Sequence, residues 1–322
     1  MNRGEVMIGA ALLCAACSGM VGPPTPAGTE AGAVDFSRLL AGKSILFVGA
    51  HPDDESVSLA MMAEACLFNG ATCRFVVASE HKSYGCSLAN SVADPHECTR
   101  LRRKEMLASA ALVNGTATFY GWEDLFFAHD EAGLERTIDR WARDNGGRAA
   151  LVARFRRTLE ETNPDVVLAL DPRHGTSCHP NHRAATLLLM DAIHGLPAES
   201  RPAVFFENDF YVVTKMDEDT AAQFANGAII AWPGDPAPMH WYDASRTLPN
   251  GRQAYDYVVD SLRAHASQYP AIAYGSTSPN PPASRRRVPY VRPADIDMSA
   301  DLCTALELDY PTFDVHGFPP DS

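Results

Sequence analysis

The stretch Ser44-Ile45-Leu46-Phe47-Val48-Gly49-Ala50-His51-Pro52-Asp53-Asp54-Glu55 decides the fold. Its first half is a continuous apolar run, the pattern of a strand buried on both faces. Its second half sets an imidazole and three carboxylates where that run ends. A helix over 55–68 follows, stopped by Asn69-Gly70. A second strand, Cys73-Arg74-Phe75-Val76-Val77-Ala78, comes within a few residues. Strand, helix and strand at this spacing predict parallel neighbours joined by a crossover.

The alternation continues outward. Arg100 to Leu112 is predicted helical with Asn114-Gly115 as its stop, Ala117 to Tyr120 is a short strand, and 134–161 is helical with a break at Gly146-Gly147. Asp165 to Leu170 is the next buried strand, Pro180 to Ile193 a helix, and Ala203 to Glu207 a further strand. Such a series predicts an α/β, Rossmann-like fold, with a mostly parallel sheet and helices on both faces. Beyond about Ser276 the Ser/Pro/Arg-rich composition has no period, so residues 276–322 are expected to form an irregular extension.

The chain has 322 residues, 46% of them apolar and 21% charged, enough apolar content to bury a sizeable core. Its formal net charge of −13 argues against nucleic acid or an anionic lipid surface as partner. The one dense basic run, Arg285-Arg286-Arg287, sits among prolines and reads as a solvated loop.

At the N-terminus, Arg3 precedes an apolar stretch from Val6 to Leu13 that is too short to span a bilayer. Residues 1–17 therefore read as a secretion signal of an extracytoplasmic bacterial protein, periplasmic or secreted, with 18–40 as linker. Ala15-Ala16 before Cys17 resembles a lipoprotein cleavage box, although Cys14 stands where Leu is usual, which makes Cys17 a candidate lipid anchor. Six cysteines lie beyond it, an even number that suits an oxidising compartment. Cys86 with Cys98 is the first candidate pair and Cys66 with Cys73 the second; Cys178 and Cys303 remain.

Ligands of open α/β sheets bind beyond the carboxyl ends of the strands. Two loops there carry chemistry: Ala50 to Glu55, and Asp171-Pro172-Arg173-His174-Gly175-Thr176-Ser177-Cys178-His179-Pro180-Asn181-His182. His51 and Asp54, three apart where strand gives way to helix, can turn toward one point. Asp53 between them stays free to accept a proton. His179 and His182 are three apart at a helix start, with Pro180 at its first position, so one can complete a metal shell while the other faces a substrate. Two imidazoles, a carboxylate and water make a usual catalytic zinc site. Alone, each loop is also explained by ordinary caps and turns; at equivalent ends of two parallel strands they are not. His81, His96 and His129 lie in loops that could rim the same pocket but, as loop histidines, are assigned no role, and His174, which could touch substrate, reads as a turn residue.

Gly49-Ala50-His51-Pro52-Asp53-Asp54-Glu55 resembles the A-H-P-D-D-E signature of the PIG-L/LmbE-like N-acetylglucosaminyl deacetylases. His179-Pro180-Asn181-His182 resembles the family's H-P-D-H, Arg102 to Glu105 its R-x-x-E, and Tyr120-Gly121-Trp122-Glu123-Asp124 a segment that brings an aspartate near the substrate. The resemblance implies a deacetylase domain over 41–275 that removes an N-acetyl or N-acyl group from an amino sugar or glycan. It further implies a zinc ion on His51, Asp54 and His182, with a water activated there as nucleophile. Asp53 would be the general base, His179 the partner of the oxyanion, and Arg102 and Asp124 would reach the sugar. Two departures stand out: Asn181 replaces the family aspartate, removing a carboxylate that would orient His179, and the glycine usual after the first motif is missing. A rival reading keeps fold and ligands in a secreted metal- and carbohydrate-binding protein without turnover.

Overall fold

The structure, a computed structural model, describes residues 36–82, 86, 92, 94–207, 209–210, 230–231, 240–268 and 287–296. Residues 1–17, read above as a secretion signal, together with Arg285, Arg286 and Cys303, lie outside the described residues.

A short helix α1 (Phe36–Leu39) leads into β1 (Ser44–Gly49), then α2 (Leu59–Ala63), which continues as a π-wound turn over Glu64–Phe68, and β2 (Thr72–His81). Next come α3 (Pro95–Ala111), β3 (Thr116–Glu123), α4 (Glu131–Asp144), α5 (Arg148–Thr162) and β4 (Val166–Leu170). After them follow α6 (Gly175–Cys178), α7 (Pro180–His194), β5 (Ala203–Glu207), the short pair β6 (Asp209–Phe210) and β7 (Ile230–Ala231), β8 (His240–Asp243), α8 (Tyr255–Ala264) and β9 (Arg287–Val291).

Seven strands form one sheet in the order β3-β2-β1-β4-β5-β9-β8. The first five are parallel, and β9 and β8 close the edge antiparallel. Side chains of β1 alternate between faces, as the two-residue strand period requires. Ile45 and Phe47 pack with Met61, Met106 and Val258 from α2, α3 and α8. Leu46 and Val48 pack with Ile138, Phe155 and Leu188 from α4, α5 and α7. The expected Rossmann-like sheet with helices on both faces is thus the observed one. Strand order reverses at β1, so a crevice opens between the carboxyl ends of β1 and β4.

Two expectations need correction. The helix after β1 starts at Leu59 and not at Glu55, because residues 51–58 are wound into turns around the carboxylates of the first motif. The C-terminal segment is not irregular throughout: β9 inserts between β5 and β8, burying Val288, Tyr290 and Val291. Pro289 disguises that strand, since proline cannot donate to a ladder; β5 pairs with Tyr290 and Val291 only, leaving Pro289 to face β8 alone. Cys66–Cys73 and Cys86–Cys98 are disulfide-bonded, with Cα atoms 6.1 and 5.6 Å apart. Cys178 is disulfide-bonded as well.

Candidate metal centre

The first loop is a tight knot. The Asp54 Oδ2 atom accepts the N–H groups of Ala50 (2.6 Å) and His51 (2.9 Å), which turns its Oδ1 outward. Gly49 makes room for this fold-back: a Cβ there would lie 2.8 Å from the Cβ of Asp54. Asp53 has φ 123°, a conformation that costs a non-glycine residue about 1–3 kcal/mol and persists only where the surroundings impose it.

The second loop enters from β4. Asp171 accepts from the Arg173 N–H (2.7 Å), and its other oxygen lies 2.8 Å from His174 Nδ1, so the buried His174 braces the turn. Gly175, at φ 53°, has no room for a Cβ, which would meet the Cβ of His182 at 2.7 Å. His179 caps α7, its Nδ1 accepting the Asn181 N–H at 3.2 Å.

These loops bring His51, Asp54 and His182 to one point. His51 Nδ1 is 2.8 Å from His182 Nε2, and Asp54 Oδ1 is 3.2 Å from His182 Nε2 and 3.8 Å from His51 Nδ1. These separations bracket the edge of about 3.3 Å of a tetrahedron with metal–ligand bonds near 2.0–2.1 Å. The far side of each ring is committed: His51 Nε2 donates to Asp124 Oδ1 at 3.0 Å, and His182 Nδ1 to the carbonyl of Gly175 at 2.6 Å. Once His51 gives up the proton it holds between Nδ1 and His182, two nitrogen lone pairs and a carboxylate oxygen face each other, an arrangement that a cation suits. His179 also offers a nitrogen within 4.8 Å of the other two imidazoles. Asp54 Oδ1 approaches His182 Nε2 to 3.2 Å, whereas the Nδ1 of His179 accepts the Asn181 N–H.

The charges follow from this packing. Burial lowers the proton affinity of His51, yet Asp124 and Asp54 overcome it and raise its pKa to about 10. Burial acts to raise Asp54, but His182 and His51 hold it well below the usual carboxylate range. Burial pushes the Asp53 carboxyl up to about 6, against the pull of the Arg102 guanidinium. Burial, reinforced by His51 and His182, keeps His179 neutral far below an ordinary histidine.

Arg102 and Asp124, expected to reach the sugar, stand behind the centre. Asp124, 4% exposed, receives His51 Nε2 and Asn181 Nδ2 (3.1 Å) on one oxygen and Arg102 Nη1 (3.4 Å) on the other. Arg102 donates to the Pro52 carbonyl (2.9 Å) and lies 3.4 Å from Asp53 Oδ1. Asn181 also differs from expectation. Its side chain faces Asp124 and His51, not His179, whose ring is oriented by backbone.

Phe126 and His265 escaped the sequence reading, and His129 was read there as a loop histidine without a role. The His129 ring lies 4.9 Å from that of His179, and the half-exposed Phe126 lies 6.2 Å from it, both on the loop after β3. His265, at the end of α8, is wholly buried against Glu55 at 2.7 Å. The only sequence signal for the first two was their place at a strand's carboxyl end; His265 had none.

The class is therefore an α/β domain that gathers imidazoles and carboxylates at the switch point of a parallel sheet. Residues 46–193 match the model of the PIG-L family, GlcNAc-PI de-N-acetylase. Among solved structures, the A40926 pseudoaglycone deacetylase Dbv21 is similar over 78% of this chain and 96% of its own, with a TM-score of 0.50 at 12% identity. The N,N'-diacetylchitobiose deacetylase from Pyrococcus horikoshii covers 71% of each chain, with a TM-score of 0.42 at 17% identity. A zinc-inhibited form of teicoplanin deacetylase Orf2 aligns with 79% of this chain and 100% of its own, with a TM-score of 0.45 at 16% identity. No curated protein sequence matches the chain.

Proposed function

We propose that this protein is a zinc-dependent N-deacylase, with His51, Asp54 and His182 as metal ligands and an N-acetylated amino sugar or glycan as substrate. The observation that carries the proposal is the convergence of His51 Nδ1, His182 Nε2 and Asp54 Oδ1, each fixed from behind by a partner. The family match, described as a GlcNAc-PI de-N-acetylase, supports the substrate class.

A zinc ion held by His51, Asp54 and His182 would supply an acidified water and polarise the acyl carbonyl. Asp53, beside the ligands and held by Arg102, takes the proton of the attacking water. Neutral His179 accepts the Asn181 N–H on Nδ1, so Nε2 carries its proton and donates to the charge growing on the acyl oxygen. Asp53 then returns its proton to the departing amine as the C–N bond breaks. A carbohydrate-binding protein without turnover would have no use for Asp53, a carboxylate outside the proposed ligand set that is kept in a strained backbone beside the centre. Export from the cytoplasm belongs to the same proposal, supported by the Cys66–Cys73 and Cys86–Cys98 disulfides.

Free-amine release from N-acetylated sugars and glycopeptides tests the reading. The expected result is turnover that a chelator abolishes and zinc restores. Release unaffected by complete metal removal would overturn it.

A further inference from the structure

The two aspartates of the first motif are held by separate devices. Asp54 is fixed by the backbone N–H groups of Ala50 and His51. Asp53 is fixed through its own N–H, which donates to Glu55 Oε2 at 3.1 Å. Glu55 is 1% exposed, and its Oε1 accepts from Ser109 (2.5 Å), Ser261 (3.2 Å) and His265 Nε2 (2.7 Å). A further bond joins Ser261 to Ser56 at 2.9 Å, so α8 grips the turn at two points. Ser261 and His265 lie beyond residues 46–193, the part that matches the family.

We infer that His265 and Ser261 are positioning residues for the reaction: through Glu55 they hold the strained backbone of Asp53, and so the base, without supporting the metal. The inference rests on the role of Asp53 proposed above. Its physical ground is that a non-glycine residue at φ 123° relaxes unless held. The bond holding it ends on a buried carboxylate, and that carboxylate keeps its place only while its donors remain. Asp54 depends on none of them, which separates the two effects.

The test compares His265→Leu, His265→Gln and Ser261→Ala in the full zinc-loaded chain. His265→Leu should lower kcat about 10–100-fold, the usual scale for outer-shell partners, with KM and zinc content unchanged. The amide of Asp53 should exchange with solvent at least about tenfold faster, as expected of a weakened hydrogen bond. His265→Gln returns a donor and should recover most of the loss. Ser261→Ala, the smaller change, should lower kcat about threefold, as for one neutral hydrogen bond, and decides the matter if His265→Leu does not fold. A residue with a merely structural role would lower thermal stability and leave kcat per folded, zinc-loaded molecule at the parental value; that result, with parental exchange at Asp53, overturns the inference. Amide exchange reads the positioning even if the parent hydrolyses no N-acyl substrate, so failure of the proposed function is told apart from failure of this one.

Discussion

Asp124→Asn separates two roles for one residue. The sequence resemblance makes Asp124 a sugar ligand, whereas the structure spends its carboxylate on His51, Asn181 and Arg102. An asparagine can still accept from His51 Nε2 with its single oxygen. Its amide then faces Arg102 Nη1, donor against donor, across the 3.4 Å now bridged by the ion pair. The negative charge that makes His51 a stronger ligand is lost too. Loss of an outer-shell carboxylate behind a metal-bound histidine weakens metal affinity or activity about 10–100-fold, or about 1.4–2.7 kcal/mol. Zinc Kd, measured by competition with a chromophoric chelator, should rise by that factor, while KM for the best substrate, measured at saturating zinc, stays within about twofold of the parent. An unchanged zinc Kd with a large rise in KM would refute the assignment and restore the sugar-binding role.

Zinc uptake should release about one proton at pH 7, because His51 is held protonated up to about pH 10 by Asp124 and Asp54 and must lose that proton to bind metal. Affinity then rises with pH below 10; calorimetry in buffers of different ionisation enthalpy reads the proton, and metal binding without proton release contradicts the ligand set. Asn181→Asp, which restores the family residue, should not improve the enzyme. It replaces a donor 3.1 Å from Asp124 with a like charge, at a cost of about 1–3 kcal/mol of stability. Denaturant unfolding measures the loss, and an equal or greater stability at neutral pH would show that Asn181 does not face Asp124.

Much of this site was legible because its chemistry is local. The histidines and aspartates at the ends of β1 and β4 announce themselves by following apolar runs, and a parallel sheet brings those ends together wherever the runs pair. What escaped depends on packing that no short window contains. The place of Asp124 depends on a neighbouring strand, since its N–H donates to the His81 carbonyl at the end of β2 at 2.9 Å. Asn181 was assigned to His179 by its place in the motif, yet the cap on α7 uses the backbone of Asn181 and leaves the side chain for Asp124. His265 caps the end of an ordinary amphipathic helix, about 210 residues from the Glu55 it touches. The strand β9 was hidden by Pro289, which the sheet tolerates because β5 reaches only Tyr290 and Val291 and leaves Pro289 facing β8 alone.

The central claim is that Asp53 is the base beside a metal it does not hold. Asp53→Asn keeps the shape of the side chain and removes its basicity. With the variant shown to be folded and to carry as much zinc as the parent, amine release from the best N-acyl substrate should fall about 10²–10⁴-fold. Release at the parental rate from that same zinc-loaded variant would contradict the account.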